Sequence, residues 1–315
     1  VLGRVLAVVL LLLAALAVYI DLSLNRVDAL PDYPERVANT AGTNWLVVGS
    51  DSREGLSAVE QSELATGGEV GSRRTDTIML LHIPALGTGG KPTLVSLPRD
   101  SSVPLPGTGE RVKLNSTYAS GGAPLLAQTL EVVTGIHIDH YLEVGFGGFA
   151  GIVDDVGGVE LCLDEPINDP LAGIDLPAGC QQLDGAQALG YVRTRATANG
   201  DLDRVERQRE FLGALVNRST SPAVLLNPFR IVPLATGVSD AVTVDNGDHI
   251  WHLARLGWAM RGISSGGVVT TTVPIGGFGD LDDGSSAVLW DREGAVAMFE
   301  ALANDEPVPP ELLPR

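Results

Sequence analysis

A chain of 315 residues, 44% of them hydrophobic and only 19% charged, can bury one large core, and one main domain is expected. Its formal charge of −18 and pI near 4.5 set the surface as a whole against phosphate backbones. No run of basic residues offsets that charge, so nucleic acid is not an expected partner.

The amino-terminal run from Val5 to Ile20 is apolar throughout and ends at Asp21. As a helix it would span about 24 Å, a short but adequate membrane crossing once the first four residues are added. Arg4 is the one charge before it, which by the positive-inside rule predicts a cytoplasmic amino terminus with everything after Asp21 outside. Ala15-Leu16-Ala17 fits a cleavage site, but it lies within the apolar run with no polar region before it, so a retained single-pass anchor over residues 1–21 is expected. Residues 22–42, with Pro31 and Pro34 and no long apolar period, read as a stalk. The folded unit is expected over 43–305, and the proline-rich end, 306–315, as a disordered tail.

Within that unit Trp45–Val48, Thr77–Leu81 and Thr93–Val95 are short apolar runs of the kind that form buried strands. Helical patterns follow at Ala123–Thr134 before Gly135, Phe146–Val156 before Gly157-Gly158, Arg204–Asn217, and His249–Arg261 before Gly262. Val268–Pro274 reads as a late strand and Arg292–Leu302 as a terminal helix. Strands alternating with helices predict a layered α/β fold. Cys162 and Cys180, if outside the cytoplasm, can pair across a loop of about 18 residues for roughly 3 kcal/mol. The alternative is two buried thiols.

Three patterns point elsewhere. Gly145-Phe146-Gly147-Gly148-Phe149-Ala150 fits a dinucleotide fingerprint but reads as a helix start packed through its phenylalanines. His137/His140 and His249/His252 have the three-residue spacing of zinc pairs, yet no third ligand is evident and core or surface histidines are expected. Gly262-Ile263-Ser264-Ser265-Gly266 follows a helix and precedes a strand, the reverse of a nucleophile elbow, and reads as a helix-ending turn.

The basic residues are unevenly placed: Arg53, Arg73, Arg74, Arg99, Arg193, Arg195, Arg204 and Arg207 all fall in short segments read as loops or helix starts. Gly49-Ser50-Asp51 directly follows a strand, and Arg74-Thr75-Asp76 enters the next, so Asp51 and Asp76 meet if those strands are neighbours. Two carboxylates beside arginines suit Mg²⁺ holding a pyrophosphate. Pro98-Arg99-Asp100 leaves a third strand at the same edge, followed by Lys113-Leu114-Asn115. Tyr191-Val192-Arg193-Thr194-Arg195 read as extended would put Arg193 and Arg195 on one face, while Arg204 and Gln208 head a helical stripe that continues into Phe211 and Leu215. Any one of these arginines could be a surface ion pair and any one aspartate a helix cap, but several guanidiniums buried together require a compensating anion.

In order and spacing, these segments resemble the LytR-CpsA-Psr family from Asn44 to about Leu215, with weaker similarity through Val273-Pro274 to the terminal helix. The stretch Glu54–Gly71, between Asp51 and Asp76, is longer than in many relatives. The resemblance implies a layered α-β-α domain with a central mixed sheet and a hydrophobic tunnel for a polyprenyl tail. It implies Mg²⁺ on Asp51 and Asp76, and phosphate contacts from Arg74, Arg99, Lys113, Arg193, Arg195, Arg204 and Gln208. Arg74, Arg99, Arg193, Arg195 and Asp76 would be the catalytic set. The implied activity is transfer of a glycopolymer from a polyprenyl-pyrophosphate donor to a peptidoglycan acceptor, on the outer side of the cell membrane. A pyrophosphatase, or a lipid-binding regulator without turnover, would be the alternatives.

Overall fold

The computed structural model describes residues 2–52, 56–65, 75–194 and 201–314, with the backbone alone described at 201–206 and over much of 2–13. The main sheet has seven strands: β1 (Asn25–Val27), β2 (Thr43–Ser50), β3 (Thr75–Ile83), β4 (Thr93–Leu97), β5 (His140–Val144), β6 (Val242–Asp245) and β7 (Val269–Thr272). Their order is β1-β6-β5-β2-β3-β4-β7. The sheet is mixed, since β5 lies parallel to β2 while β3 is antiparallel to both of its neighbours. The helices that cover it and flank it are α1 (Leu2–Ser23), α2 (Leu114–Thr134), α3 (Phe146–Asp155), α4 (Gly185–Arg193), α5 (Asp201–Ser219), α6 (Pro228–Ala241), α7 (Ile250–Ala259) and α8 (Arg292–Ala303).

The layering follows from the two-residue period of the strands. In β2 and β3, Leu46, Val48, Ile78 and Leu80 point to one core with Leu126 and Leu130 of α2 and Met298 of α8. The alternate residues Trp45, Met79 and Leu81 point to a second core with Leu256 of α7 and Met260 just after it. This is the expected α-β-α arrangement. A third core lies beyond the sheet, where α3 to α6 enclose the antiparallel pair Val159–Leu163 and Gly179–Leu183. Cys162 and Cys180 stand opposite each other on that pair and are joined by a disulfide, as the spacing allowed.

Residues 22–42 are not a stalk. β1 extends the main sheet on β6, Ala29 is fully buried, and the Asp245 carboxylate accepts the Ala29 and Leu30 amides at 3.0 Å each. Tyr33 and Arg36 reach the buried Glu131 of α2. The segment lacks an apolar period because backbone pairing and one buried ionic group hold it, not an amphipathic face. The proline-rich end also packs on the domain, with Val308 in the first core and Leu312 accepting a hydrogen bond from Thr271. The apolar run 5–20 lies in α1, whose end docks through buried Ile20 and through Asp21, which accepts the Ile250 amide at 2.9 Å. No helix among the described residues is long and apolar enough to cross a membrane.

One local conflict yields a prediction. In the last turn of α3, burial first, then the charges of Asp154 and Asp240, raise the Asp155 carboxyl above its ordinary value. Its folded form binds the proton more tightly than the unfolded form, so wild type loses stability as pH rises through that interval, and the penalty is complete above it. Asp155→Asn should therefore gain about 0.5 kcal/mol near neutrality. Urea midpoints should converge for the two proteins near pH 3, where Asp155 of wild type is largely protonated whether folded or unfolded.

Candidate functional site

The carboxyl end of β2 and the start of β3 form one edge of the sheet. Gly49 pairs with Thr77 and Ser50 with Thr75, so Asp76 is the extra residue of a bulge, which turns its carboxylate out of the ladder. Asp51 follows Ser50 directly, so the neighbouring-strand expectation for Asp51 and Asp76 holds at the level of the backbone. Next to them, Pro98 starts a turn closed by Ser101, whose amide and hydroxyl both donate to the Pro98 carbonyl. The first amides of α2, on Leu114 and Asn115, would lack intrahelical acceptors. They donate instead to the carbonyls of Ser101 and Arg99 at 2.9 Å, which locks the Arg99 turn against Lys113 at the helix start.

The charges then alternate along this edge. The Arg99 guanidinium is hydrogen-bonded to the Asp76 carboxylate, its Nε lies 3.5 Å from Asp100, and Lys113 Nζ lies 3.4 Å from the other Asp100 oxygen. All four side chains are partly exposed, so a ligand can reach them.

Asp76, Arg193 and Gln208 also line an apolar cavity of about 180 Å³. It runs between the sheet face at Val47 and Met79, Phe149 of α3, Leu189 of α4 and Phe211 of α5. Gln208 donates to the Val192 carbonyl at 3.3 Å, and Phe211 below it is buried, as the helical stripe predicted.

Arg193 is placed differently from the sequence expectation. It ends a helix rather than lying on an extended segment, because Asp184 and Gln187 form a capping box that starts α4. Its guanidinium stacks 4.6 Å above the Phe146 ring and donates to the Leu64 and Ala65 carbonyls at 3.2 Å. Arg53, Arg73, Arg74 and Arg195 lie outside the described residues, as does the Arg204 side chain. Arg207, buried among the helices, donates to the Thr194 carbonyl at 2.7 Å.

Sequence reasoning missed two features. Arg209 of α5 reaches across to Ser96 of β4 and Thr272 of β7. On the far side of Gly145 a second, polar cavity of about 890 Å³ holds Glu143, whose two oxygens accept from the Tyr118 and Tyr141 hydroxyls at 2.7 and 2.8 Å. Burial first, then the Glu143 charge, push the Tyr141 phenol well above its usual value, so it stays a donor. Tyr118 and Glu143 come from α2 and β5, 25 residues apart, with no local signal joining them.

The glycine-rich Gly145–Ala150 segment is a helix start, as expected: a Cβ on Gly148 would lie 2.2 Å from the Ala241 carbonyl, so the glycine serves close packing of α3 on α6. Gly262–Gly266 is a turn between α7 and β7.

The oxygen-rich edge fits a hard cation. Asp51 and Asp76 supply carboxylates, and the buried hydroxyls of Ser50 and Thr75 have no hydrogen-bond partner among the described residues. Mg²⁺ takes one or two carboxylates and keeps several waters, which such hydroxyls could bind.

The chain is a layered α/β domain whose apolar cavity lies beside alternating guanidinium and carboxylate groups. The model of the LytR_cpsA_psr family matches residues 22–304, and the chain belongs to that family of cell-wall glycopolymer transferases. It is 57% identical over 298 residues to the probable cell wall biosynthesis protein LcpB of Corynebacterium glutamicum, a match covering 95% of this chain and 69% of that protein. It is 37% identical over 179 residues to the polyisoprenyl-teichoic acid–peptidoglycan teichoic acid transferase TagU of Enterococcus faecalis, covering 56% of this chain and 57% of that one. Among solved structures, the LytR-Csp2A-Psr enzyme from Actinomyces oris superimposes with a TM-score of 0.67 at 25% identity, over 89% of this chain and 96% of that one.

Proposed function

We propose that this protein transfers a cell-wall glycopolymer from a polyprenyl-pyrophosphate carrier to peptidoglycan, on the outer side of the membrane. The observation that carries the reading is the apolar cavity with Asp76, Arg193 and Gln208 lining it and Arg99 and Lys113 beside it. A polyprenyl tail suits the cavity, and a diphosphate suits the cations. The disulfide supports an oxidising compartment. The acceptor chemistry agrees with the name of TagU, a peptidoglycan teichoic acid transferase.

In this reading an acceptor hydroxyl attacks the phosphorus next to the glycan. One P–O bond forms, the bond to the bridging oxygen breaks, and polyprenyl phosphate departs with the electron pair. The hydroxyl proton passes to a carboxylate of the edge, Asp76 or Asp100. Arg99, Arg193 and Lys113 take up the charge that grows on the leaving phosphate, and Gln208 and the cavity wall hold the carrier in line. Asp51 and Asp76 would hold Mg²⁺, which when bound supplies further charge neutralisation.

The test supplies purified protein with a synthetic polyprenyl-pyrophosphate oligosaccharide and peptidoglycan fragments. Glycan joined to the fragments, together with free polyprenyl phosphate, is expected; a chelator should abolish it and added Mg²⁺ restore it. Phosphorylated glycan released without acceptor would replace the reading by a pyrophosphatase, and retained lipid without turnover by a binding role.

A further inference from the structure

At the opposite end of the strands from the cavity, two histidines and an aspartate far apart in sequence come together. His140 opens β5, His252 lies in the first turn of α7, and Asp248 sits in the turn that joins β6 to α7. One ligand atom from each lies within 4.8 Å of the others, the one such group that includes histidine or cysteine among the described residues. The third ligand that the histidine spacing lacked is Asp248, 108 residues from His140.

The Asp248 carboxylate is 1% exposed. One of its oxygens accepts the Tyr141 amide at 3.0 Å, which fixes its orientation. The other faces Nδ1 of both rings, in hydrogen-bond contact with His140 and 3.3 Å from His252. Arg26, the nearby guanidinium, donates to the Asp248 main-chain carbonyl, so the carboxylate's side-chain partners are the two imidazoles. The His140 ring is held between the Trp45 and His252 rings at centroid distances of 4.4 and 4.5 Å. Both histidine side chains keep some exposure, 17% and 27%, which leaves a route for an ion and a water.

We propose that His140, Asp248 and His252 form a site for a divalent transition metal of the zinc class, with solvent completing the shell. Two imidazole nitrogens and one carboxylate oxygen are a donor set that zinc takes, and a divalent ion compensates the buried carboxylate better than neutral imidazole does. Binding would replace the contacts of the two imidazoles with Asp248 by bonds to the ion and displace the His249 amide, 3.3 Å from His252 Nδ1. Tyr141, holding the carboxylate from behind, serves as the outer shell that orients a metal ligand.

The location assigns the ion a structural role. It would clamp β5 to α7 and to the turn whose carbonyl Arg26 of β1 grips, next to Asp21 at the end of α1. Binding would fix the chain's approach from α1 to the sheet, about 13 Å along β5 from the cavity.

The experiment uses the full chain stripped by chelation. Zinc titration by calorimetry should show one equivalent bound at micromolar or lower Kd, cobalt should give a visible d–d absorption, and Tm should rise with zinc concentration. His252→Gln, on a partly exposed side chain, should lose affinity by about 100-fold, the cost of a lost ligand or more. His249→Gln should bind as wild type, and Asp76→Asn should too, which separates this site from the sheet edge. Circular dichroism verifies the fold of each variant. No zinc equivalent at 100-fold micromolar excess, or a His252→Gln protein that binds like wild type, would overturn the proposal.

Discussion

Replacing Arg193 by alanine is expected to lower kcat/KM for glycan transfer by about two to three orders of magnitude while the protein stays folded. Removing one preorganised donor aimed at developing charge in a water-poor site typically costs ~3–4 kcal/mol. Arg193 has such a setting: it lines the apolar cavity, its guanidinium held from behind by the Phe146 ring and by two main-chain carbonyls. Those anchors leave its position fixed before a ligand arrives, which is what makes it worth more than a mobile surface arginine. Arg193→Lys should recover only part of the rate, because an ammonium cannot reproduce a planar, two-point contact with phosphate oxygens. The anchoring contacts also raise a competing explanation, that alanine merely loosens the junction of α4 with residues 64–65. Phe146→Leu discriminates, since it removes the stacking ring and leaves the charge. If Phe146→Leu loses as much transfer as Arg193→Ala, the arginine is only a brace, and the assignment of a phosphate-binding role fails.

What the sequence made legible was whatever repeats over a few residues. The short apolar runs Trp45–Val48 and Thr77–Leu81 marked two buried strands, and both are strands covered by a core on each face. Gly135, with φ of 69°, ends α2 where a glycine was expected to. Yet α2 starts at Leu114, nine residues before the predicted Ala123, and runs through Gly121-Gly122 and Pro124. They form a kink, with Gly122 at φ 65° and ψ −160°, but packing of Leu114 and Tyr118 into the first core carries the helix across it.

The site was legible in part for the same reason. Asp51, Asp76 and Arg99 sit beside ends of strands that their apolar runs had located, and the sheet order makes those strands neighbours. Arg193 was assigned to the wrong element because a short capping box outweighs a five-residue extended reading. The Asp248 partnership with His140 and His252, and that of Glu143 with Tyr118, depend on which distant strands become neighbours. No local pattern carries that information.

The same limit explains the misreading of residues 22–42, and the largest expected stability effect follows from it. Glu131 of α2 is 1% exposed, and its carboxylate accepts from the Tyr33 hydroxyl at 2.5 Å, from Arg36 Nε and its terminal nitrogen at 3.1 and 3.0 Å, and from the Ile138 amide at 2.9 Å. Burial first, then the Glu131 charge, hold the Tyr33 phenol above its usual range, so it remains a donor to the carboxylate at any pH where the domain is folded. Glu131→Ala removes the shared acceptor and leaves the Arg36 guanidinium, 17% exposed, and the Ile138 amide without it. Breaking a buried pair from one side costs ~3–5 kcal/mol, a large part of the ~5–15 kcal/mol that separates a native domain from its unfolded chain. The urea midpoint should fall accordingly with little change in slope. Glu131→Gln keeps one acceptor for the amide but forfeits the charge on Arg36, so its loss should be smaller than that of alanine. Tyr33→Phe removes a single charge-assisted hydrogen bond and should cost ~1.5–3 kcal/mol. A Glu131→Ala protein within 1 kcal/mol of wild type would mean that this ionic group does not hold residues 22–42, leaving the β1 pairing and the buried Ala29 as what docks them.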